Sequence, residues 1–261
     1  MTSLLAKPGA QVVVDSLERQ GVAHVFGISG AVTANSEGDP MVALGTSQHL
    51  KQIHQSYQAV SAFKAVTKFS AEVNSADSIA ETVANAFLAA ESDRPGAAFV
   101  SLPKDIMEGE TDCNALTGFS RPNFGPGSRD SLDEAARIIN GSQRAVILLG
   151  LLASKPENAD AVRTFMRKTN IPAVGTFQAV GTVSADPFHN FAGRIGQLDN
   201  SPGDELLAVA DVIIAVGYDP IEYDPSFWNH LRSAKLIHID SSHADIDNFY
   251  LPAVQVLGNV A

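Results

Sequence analysis

Cysteine is almost absent from this chain, which has one, Cys113, among 261 residues. An intrachain disulfide and a metal site built from several cysteines are therefore excluded. Long apolar runs are also missing, because stretches such as Ala145 to Leu149 and Val212 to Val216 are far shorter than the ~20 residues of a membrane-spanning helix. The amino terminus has no basic region followed by a long apolar one, so no secretory signal is predicted. We expect a soluble protein of the cytoplasm.

Basic residues are scarce as well. The chain has 18 Lys and Arg against 29 Asp and Glu, a formal net charge of −11. Such a surface repels nucleic acid and anionic membranes, so neither is expected as a partner. With 45% hydrophobic and 18% charged residues, the composition is that of a globular protein, and the length allows one large or two modest domains.

The first part of the chain has alternating helix and strand signals. Pro8 is suited to open a helix whose apolar positions Val12, Val13 and Leu17 follow helical spacing. Apolar runs predict strands at 25–28, 41–44 and 97–102, and a helix is predicted over 77–90 with Asp77 as its N-cap. This order favours an α/β domain.

A segment with several glycines, prolines and asparagines, residues 107–127, separates that part from a second alternating region. There Ser131 and Glu134 have the spacing of a helix capping box. Strands are predicted at 145–149, 173–175, 212–216 and 236–239, and helices at 157–168 and 203–210. Strands this apolar need cover on both faces, which predicts doubly wound parallel sheets. We assign residues 1–106 to a first domain, 107–127 to a linker and 128–261 to a second domain.

Two glycine-containing loops are candidates for ligand binding. The loop from Gly27 to Gly30 follows a predicted strand and can bring backbone N–H groups against a ligand, but an ordinary strand-end turn has the same sequence. Arg194, between Gly193 and Gly196, is suited to contact an anion, although a surface turn is the simpler interpretation.

Some polar and acidic residues are further candidates. Asp240 ends a predicted strand, where it can meet a polar ligand group or cap the next turn, and His238 within that strand is expected to be packed in place. The loop with Asp219, Glu222 and Asp224 offers carboxylates to a divalent cation, but the pattern of a metal loop is missing and a rigid surface loop is favoured. The polar cluster His54, Gln55 and Ser56 allows either a site or a solvated loop. No metal site is predicted.

Several segments, read together and in order, resemble the acetolactate synthases of the catabolic, pyruvate-condensing type, a group of thiamine diphosphate-dependent enzymes. The matching segments are Gly9 to Leu17, His24 to Ile28, Thr33 to Pro40, Pro95 to Pro103, Phe191 to Gly196 and Gly217 to Pro225. The resemblance covers nearly the whole chain. It implies a pyrimidine-binding domain first, a Rossmann-like central domain second and a pyrophosphate-binding domain third.

The resemblance also implies an activity and a site. Such enzymes condense two pyruvate molecules to 2-acetolactate and CO2 with thiamine diphosphate and Mg2+, as homo-oligomers. The catabolic members do not in general hold FAD, so FAD is not expected. Gly27, Ser29 and Gly30 match the cofactor-binding loop, where Ser29 replaces a proline, and Gln55 matches a position that faces the cofactor.

The chain departs from the family pattern in two places. Gly30 runs almost directly into Thr33, whereas family members have there a long stretch that holds the glutamate activating the cofactor. Glu37 does not replace it, because it matches a later glutamate. No Gly-Asp-Gly motif for Mg2+ and the diphosphate occurs before Ala261. These departures predict an incomplete first domain and a chain that is inactive alone, and they leave open a non-catalytic remnant that binds a partner subunit or a nucleotide.

The two predicted domains should differ in stability. Residues 128–261 keep a full alternation of strands and helices, whereas the first domain lacks elements that should cover its sheet, and uncovered apolar faces promote association. Limited proteolysis should cut first before Ser128 and leave a resistant carboxy-terminal fragment. A resistant, cooperatively melting fragment from Met1 to Asp105 would contradict this assignment.

Overall fold

The computed structural model describes residues 6–25, 41–47, 58–92, 94–117, 124–185, 189–196 and 201–261. The chain divides into two compact units, Met1–Pro122 and Asn123–Ala261. The α/β fold with parallel sheets that the sequence predicts is confirmed, because each unit has a sheet in which all pairs of long strands are parallel.

The first unit contains short strands and helices in alternation. In chain order they are β1 (Lys7–Pro8), α1 (Gly9–Arg19), β2 (Met41–Ser47), α2 (Ala59–Lys64), β3 (Phe69–Glu72), a 3-10 turn (Ala76–Ser78), α3 (Ile79–Glu91), β4 (Ala97–Pro103), α4 (Lys104–Glu108) and β5 (Glu110–Thr111). Strands β2, β4 and β3 form a three-stranded parallel sheet with β4 in the middle, and β1 pairs antiparallel with β5.

The core of this unit lies between α1, α3 and β4. Val12 and Val13 of α1 pack with Ile79 and Val83 of α3, and all four are buried. Every residue of β4 is buried, as expected for a central parallel strand. The predicted cap of α3 is wrong: Ser75 caps the preceding 3-10 turn through Ser78 N–H, whereas Asp77 accepts a hydrogen bond from the Thr111 hydroxyl at 2.5 Å.

The predicted linker, 107–127, includes regular structure. Its first residues complete α4, and Glu110–Thr111 form β5. The backbone N–H of Gly9 also donates to the carbonyl of Gly109 at 2.9 Å, so the start of this segment is tied to the beginning of α1.

The second unit is built on longer alternating elements. They are α5 (Arg129–Asn140), β6 (Ala145–Leu149), a 3-10 turn (Leu151–Ser154), α6 (Pro156–Thr169), β7 (Ala173–Gly175), a 3-10 turn (Phe177–Ala179), β8 (Phe191–Arg194), α7 (Pro202–Val209), β9 (Val212–Val216), α8 (Pro225–Trp228), β10 (Lys235–Asp240) and β11 (Pro252–Leu257). The six strands form one sheet in the order β11-β10-β9-β6-β7-β8, and every neighbouring pair is parallel. Numbered from the first strand of the unit, this is the order 3-2-1-4-5-6 of dinucleotide-binding folds.

Both faces of this sheet are covered. Ile147 of β6 belongs to one apolar cluster, with Ile138 of α5 and Met166 of α6. Leu148, the next residue of the strand, belongs to a second cluster with Leu207 of α7 and Trp228 of α8. Because successive side chains of a strand point to opposite faces, the continuous apolar run of β6 supplies both clusters.

The start of α5 differs from the prediction. The helix begins at Arg129 and its N-cap is Ser128, whose hydroxyl oxygen accepts from the N–H of Ser131 at 3.2 Å. Glu134 is not part of a capping box, because its carboxylate pairs with Arg137 one turn later.

The first and last described residues of the second unit lie together. The N–H of Asn259 donates to the carbonyl of Gly125 at 2.7 Å. Gly258 lies so close to Gly125 that an added Cβ would be 2.6 Å from the Gly125 carbonyl oxygen. Residues near the two ends of this unit are therefore neighbours in the fold.

Among the helices of the described ranges, none combines the length and the apolar character that crossing a bilayer requires.

Truncating the middle of the six-stranded sheet should destabilise the second unit. Ile214 of β9 is fully buried, and Ile214→Ala should lower the free energy of unfolding by about 2–5 kcal/mol because of lost burial and the remaining cavity. Urea unfolding can be followed by the fluorescence of Trp228, the single tryptophan of the chain, which lies in this unit. The control Ile221→Ala, at a residue 87% exposed, should change it by less than about 0.5 kcal/mol. Equal losses in both variants would show that β9 is not in the core.

Candidate functional site at the carboxyl edge of the six-stranded sheet

The order of the strands reverses beside β6. The chain continues from β6 to β7 on one side and later places β9 on the other. In open α/β sheets the loops after two such strands diverge, and ligands bind in the crevice at their carboxyl ends. The candidate site therefore lies where β6, β7 and β9 end, at Gly150, Thr176 and Gly217.

Glycines at both strand ends let the two loops touch. A Cβ on Gly150 would collide with the backbone of Gly217 and Tyr218, and a Cβ on Gly217 would lie 2.6 Å from the backbone nitrogen of Ala153. Gly217 also has φ +57°, which disfavours other residues. Two hydrogen bonds join the loops, from Gly150 N–H to the Val216 carbonyl and from Leu152 N–H to the Gly217 carbonyl, both at 3.0 Å.

The carboxylate of Glu222, from the loop after β9, occupies the space between the strand ends. Each of its oxygens lies 3.0 Å from the backbone nitrogen of Leu151, and Oε1 also accepts from the N–H of Asp219 at 3.0 Å. The hydroxyl of Thr176 donates to Oε2 at 2.5 Å. One half-buried side chain thus connects the ends of β6, β7 and β9.

Partial burial changes the acidity of this group. Loss of water raises the pKa of the Glu222 carboxyl above its ordinary value, although the hydrogen bonds from Thr176, Leu151 and Asp219 act in the opposite direction. The nearby Asp219 carboxylate adds to the increase. The pKa is therefore set mainly by desolvation that the donors do not fully offset.

Aromatic packing holds the loop that carries Glu222. Tyr218 is buried, and its hydroxyl donates to the carbonyl of Tyr223 and accepts from Trp228 Nε1 at 3.2 Å. The rings of Tyr218 and Trp228 meet edge to face with centroids 5.8 Å apart. Burial raises the pKa of Tyr218 strongly, so this hydroxyl keeps its proton. The loop is therefore fixed at both of its ends.

The residues that the resemblance assigns to the cofactor lie outside the described residues. These are Gly27, Ser29, Gly30 and Gln55; Glu37, which the resemblance does not assign to the cofactor, lies outside them as well. Their roles stay predictions.

Arg194 and Asp240 have structural contacts at the carboxyl edge. The exposed guanidinium of Arg194 lies 6.0 Å from the centre of the Phe177 ring, and its carbonyl accepts from the Ser201 hydroxyl. Asp240 Oδ1 accepts from the N–H of Ser242 at 2.9 Å, which is the turn-capping alternative. Asp240 also ends the fifth strand of the 3-2-1-4-5-6 order. In dinucleotide-binding folds the acid that binds the ribose comes about 20 residues after the turn that follows the first strand, so Asp240 does not have that position.

His238 is buried and hydrogen-bonded, as expected from its place in an apolar strand. Its Nε2 lies 3.0 Å from the Ser242 carbonyl and its Nδ1 lies 2.9 Å from the Tyr250 hydroxyl. A carbonyl accepts only, so Nε2 carries a proton and donates to Ser242.

The acidic loop does not assemble a cation site from its three carboxylates. Asp219 accepts from the N–H of Ile221, and Asp224 caps α8 by accepting from the N–H of Ser226 at 2.8 Å. In the described part of the chain, the group with metal-ligand atoms within 4.8 Å of one another is Asp77, Asp112 and Cys113. A thiol is a poor ligand for Mg2+, so this group does not fit the family's metal.

The sequence analysis did not identify the Thr176 hydroxyl and the Leu151 N–H as hydrogen-bond donors of this site. Both follow strands that the sequence located correctly, β7 and β6. The useful signal was the position of each residue directly after a buried strand, because parallel strands bring their carboxyl ends to one edge.

Comparisons with known proteins agree with this architecture. The family model described as "Thiamine pyrophosphate enzyme, central domain" matches residues 132–261. An acetolactate synthase of Bacillus subtilis is 36% identical over 319 residues, covering 99% of this chain and 56% of the relative. A catabolic acetolactate synthase of Raoultella terrigena is 42% identical over 238 residues, covering 90% of this chain and 42% of the relative. The human 2-hydroxyacyl-CoA lyase 1 is 24% identical over 98% of this chain.

This chain is shorter than the proteins to which it is similar. The chain spans about half the length of the curated relatives it matches. The aligned stretch of the Bacillus subtilis enzyme, 319 residues, is longer than this whole chain of 261 residues. At least 58 residues inside that stretch therefore have no counterpart here.

The raised pKa of Glu222 predicts a specific dependence of stability on pH. The folded chain binds this proton more tightly than the unfolded chain does, so the stability that the wild type has relative to Glu222→Gln is greatest below pH 4.5 and is lost as pH rises through the raised pKa. Urea unfolding followed by Trp228 fluorescence between pH 4 and 8 measures this difference.

Asp224→Asn is the matched control in the same loop. The N–H and hydroxyl of Ser226 lower the pKa of Asp224, so its contribution is present above pH 3.8 and is lost as pH falls through the lowered pKa. Between pH 4 and 8 the contribution of Asp224 should therefore stay nearly constant, and a contribution of Glu222 that also stayed constant across this range would contradict its assignment.

Proposed function

Since the chain belongs to the thiamine pyrophosphate-dependent enzymes, with their central domain at residues 132–261, we propose that it is a polypeptide of the acetolactate synthase type. In the complete enzyme, one pyruvate loses CO2 and the remaining two-carbon unit joins the carbonyl carbon of a second pyruvate, which gives 2-acetolactate. The observation that carries this proposal is the 36% and 42% identity to two acetolactate synthases over 99% and 90% of the chain. We place the protein in the cytoplasm, as a homo-oligomer when complete.

Thiamine diphosphate, when bound, supplies the group that stabilises negative charge on the substrate carbon. No described residue is assigned to hold it, because Gly27, Ser29, Gly30 and Gln55 lie outside the described ranges. The contribution proposed for the described residues is architectural: residues 123–261 supply the central domain. The Glu222 carboxylate joins the residues that follow three strands of that domain through hydrogen bonds.

We further propose that the first unit is a shortened pyrimidine-binding domain and that this polypeptide alone does not catalyse the condensation. The support is a gap within the aligned region: at least 58 residues of the aligned Bacillus subtilis stretch have no counterpart in this chain. By the resemblance, family members carry the activating glutamate in the stretch that is missing here between Gly30 and Thr33. Removing the carboxylate that activates the cofactor removes its proton relay.

An assay with pyruvate, thiamine diphosphate and Mg2+ tests the inactivity. We expect no acetolactate above the background without protein, while the Bacillus subtilis acetolactate synthase under the same conditions gives product. Product formation that stops when thiamine diphosphate is omitted would refute the inactivity and would support the enzyme assignment directly.

A chimera tests the proposed contribution of the second unit. Residues 124–261 of this chain would replace the matching central domain of the Bacillus subtilis enzyme, and acetolactate formation would be measured. A folded chimera with a rate within about tenfold of the parent, a loss of about 1.4 kcal/mol in transition-state stabilisation, is expected because the replaced unit does no chemistry. A folded chimera without activity would contradict the assignment.

The alternative is a non-catalytic remnant that binds a nucleotide or a partner subunit through the second unit. The 3-2-1-4-5-6 strand order favours the nucleotide version. Against it stands the Glu222 carboxylate in the crevice. Purified protein without yellow colour is expected, and bound FAD would give that colour.

A further inference from the structure

The crevice at the carboxyl edge of the six-stranded sheet contains converging hydrogen-bond donors from separate strand ends. The N–H of Leu151 follows β6, the hydroxyl of Thr176 follows β7 and the N–H of Asp219 follows β9. Two backbone N–H groups and a hydroxyl aimed at one point form a cradle suited to an oxyanion. In this chain the oxyanion in the cradle is the carboxylate of Glu222.

Gly150 shows how closely this carboxylate approaches the backbone. A Cβ at Gly150 would lie 2.7 Å from Glu222 Oε1, well inside van der Waals contact. In dinucleotide-binding folds, a glycine after the first strand lets the ligand's pyrophosphate approach the backbone. Here the glycine after the first strand of the sheet lets a side chain of the same polypeptide do so.

A second anion is disfavoured where Glu222 lies. Its oxygens already take up the Leu151 and Asp219 N–H groups and the Thr176 hydroxyl. Charges of the same sign a few ångströms apart also repel strongly in a partly desolvated site. The two loops also contact each other directly through Gly150 and Gly217, which limits the space beside the carboxylate.

We propose that Glu222 is a built-in anion that fills the phosphate position of this crevice and closes the second unit to dinucleotide phosphates. Removing its side chain beyond Cβ leaves a cradle that accepts a small carboxylate from solution. The inference is independent of the proposed catalytic function, since its test measures stability and not turnover.

The experiment is chemical rescue of Glu222→Ala in the full chain by acetate, which replaces the atoms that the substitution removes. Thermal unfolding would be followed by Trp228 fluorescence at pH 8, with sodium acetate or sodium chloride at equal ionic strength. We expect a midpoint about 3–10 °C below that of the wild type in chloride, because donors lose their partner. Acetate should restore at least half of the difference with saturable concentration dependence.

Three controls define the site. The wild type should respond equally to acetate and chloride, and its midpoint should not rise with inorganic pyrophosphate at equal ionic strength. Asp224→Ala, which removes an exposed carboxylate that caps α8 in the same loop, should not be rescued because Glu222 still fills the cradle. Acetamide has the shape of acetate but offers the donors one acceptor oxygen instead of two, so it should rescue Glu222→Ala less than acetate does.

The proposal is overturned if acetate and chloride act alike on Glu222→Ala, if acetamide rescues as well as acetate, or if pyrophosphate stabilises the wild type. If Glu222→Ala does not fold in chloride, the soluble yield after dilution from urea becomes the measurement. A yield that acetate restores supports the built-in anion, and a yield equally low in acetate and chloride overturns it.

Discussion

The cover of both faces of a fully parallel sheet is the constraint on which the second unit depends. Strands such as β6 and β9 are apolar at successive positions, so they place apolar side chains on both faces of the sheet, and both faces must be shielded from water. Helices α5 and α6 cover one face and α7 and α8 cover the other. Because every neighbouring pair of strands is parallel, the carboxyl ends lie at one edge, and this is how Leu151, Thr176 and Asp219 come together although they are distant in sequence.

The hydrogen-bond donors of a site built from strand ends are largely fixed in position before a charged group binds to them. The donors at Glu222 include two backbone N–H groups, whose positions are fixed by the sheet and not by side-chain rotamers. Fixed dipoles cost little to orient toward a charge, yet they do not here outweigh the loss of water around the carboxylate, as the raised pKa of Glu222 indicates. The chain thus keeps an acidic group that is costly to ionise at the point where the loops after three strands meet.

The sequence predicted the strands in the middle of this sheet to the residue and missed strands at its edges. The apolar runs of β6, β7 and β9 have the predicted bounds because both faces are buried. Strand β11 lies at an edge, begins with a proline and alternates in burial, and β8 is partly exposed, so neither has a continuous apolar run. The predictions of the helix caps failed for a different reason. Each helix has two candidate capping residues close together in sequence, and the folded backbone selects Ser128 over Ser131 and Ser75 over Asp77. The carboxylates of the acidic loop were noticed, but the donors of Glu222 come from sequence-distant residues that no local pattern links.

The meeting of the two ends of the second unit has a consequence for how such chains can be assembled. Gly125 and Asn259 are joined by a backbone hydrogen bond, so the two ends of the described part of this unit lie next to each other. Domains whose ends lie close together tolerate circular permutation, so a short covalent link between these two ends should leave the six-stranded sheet unaltered.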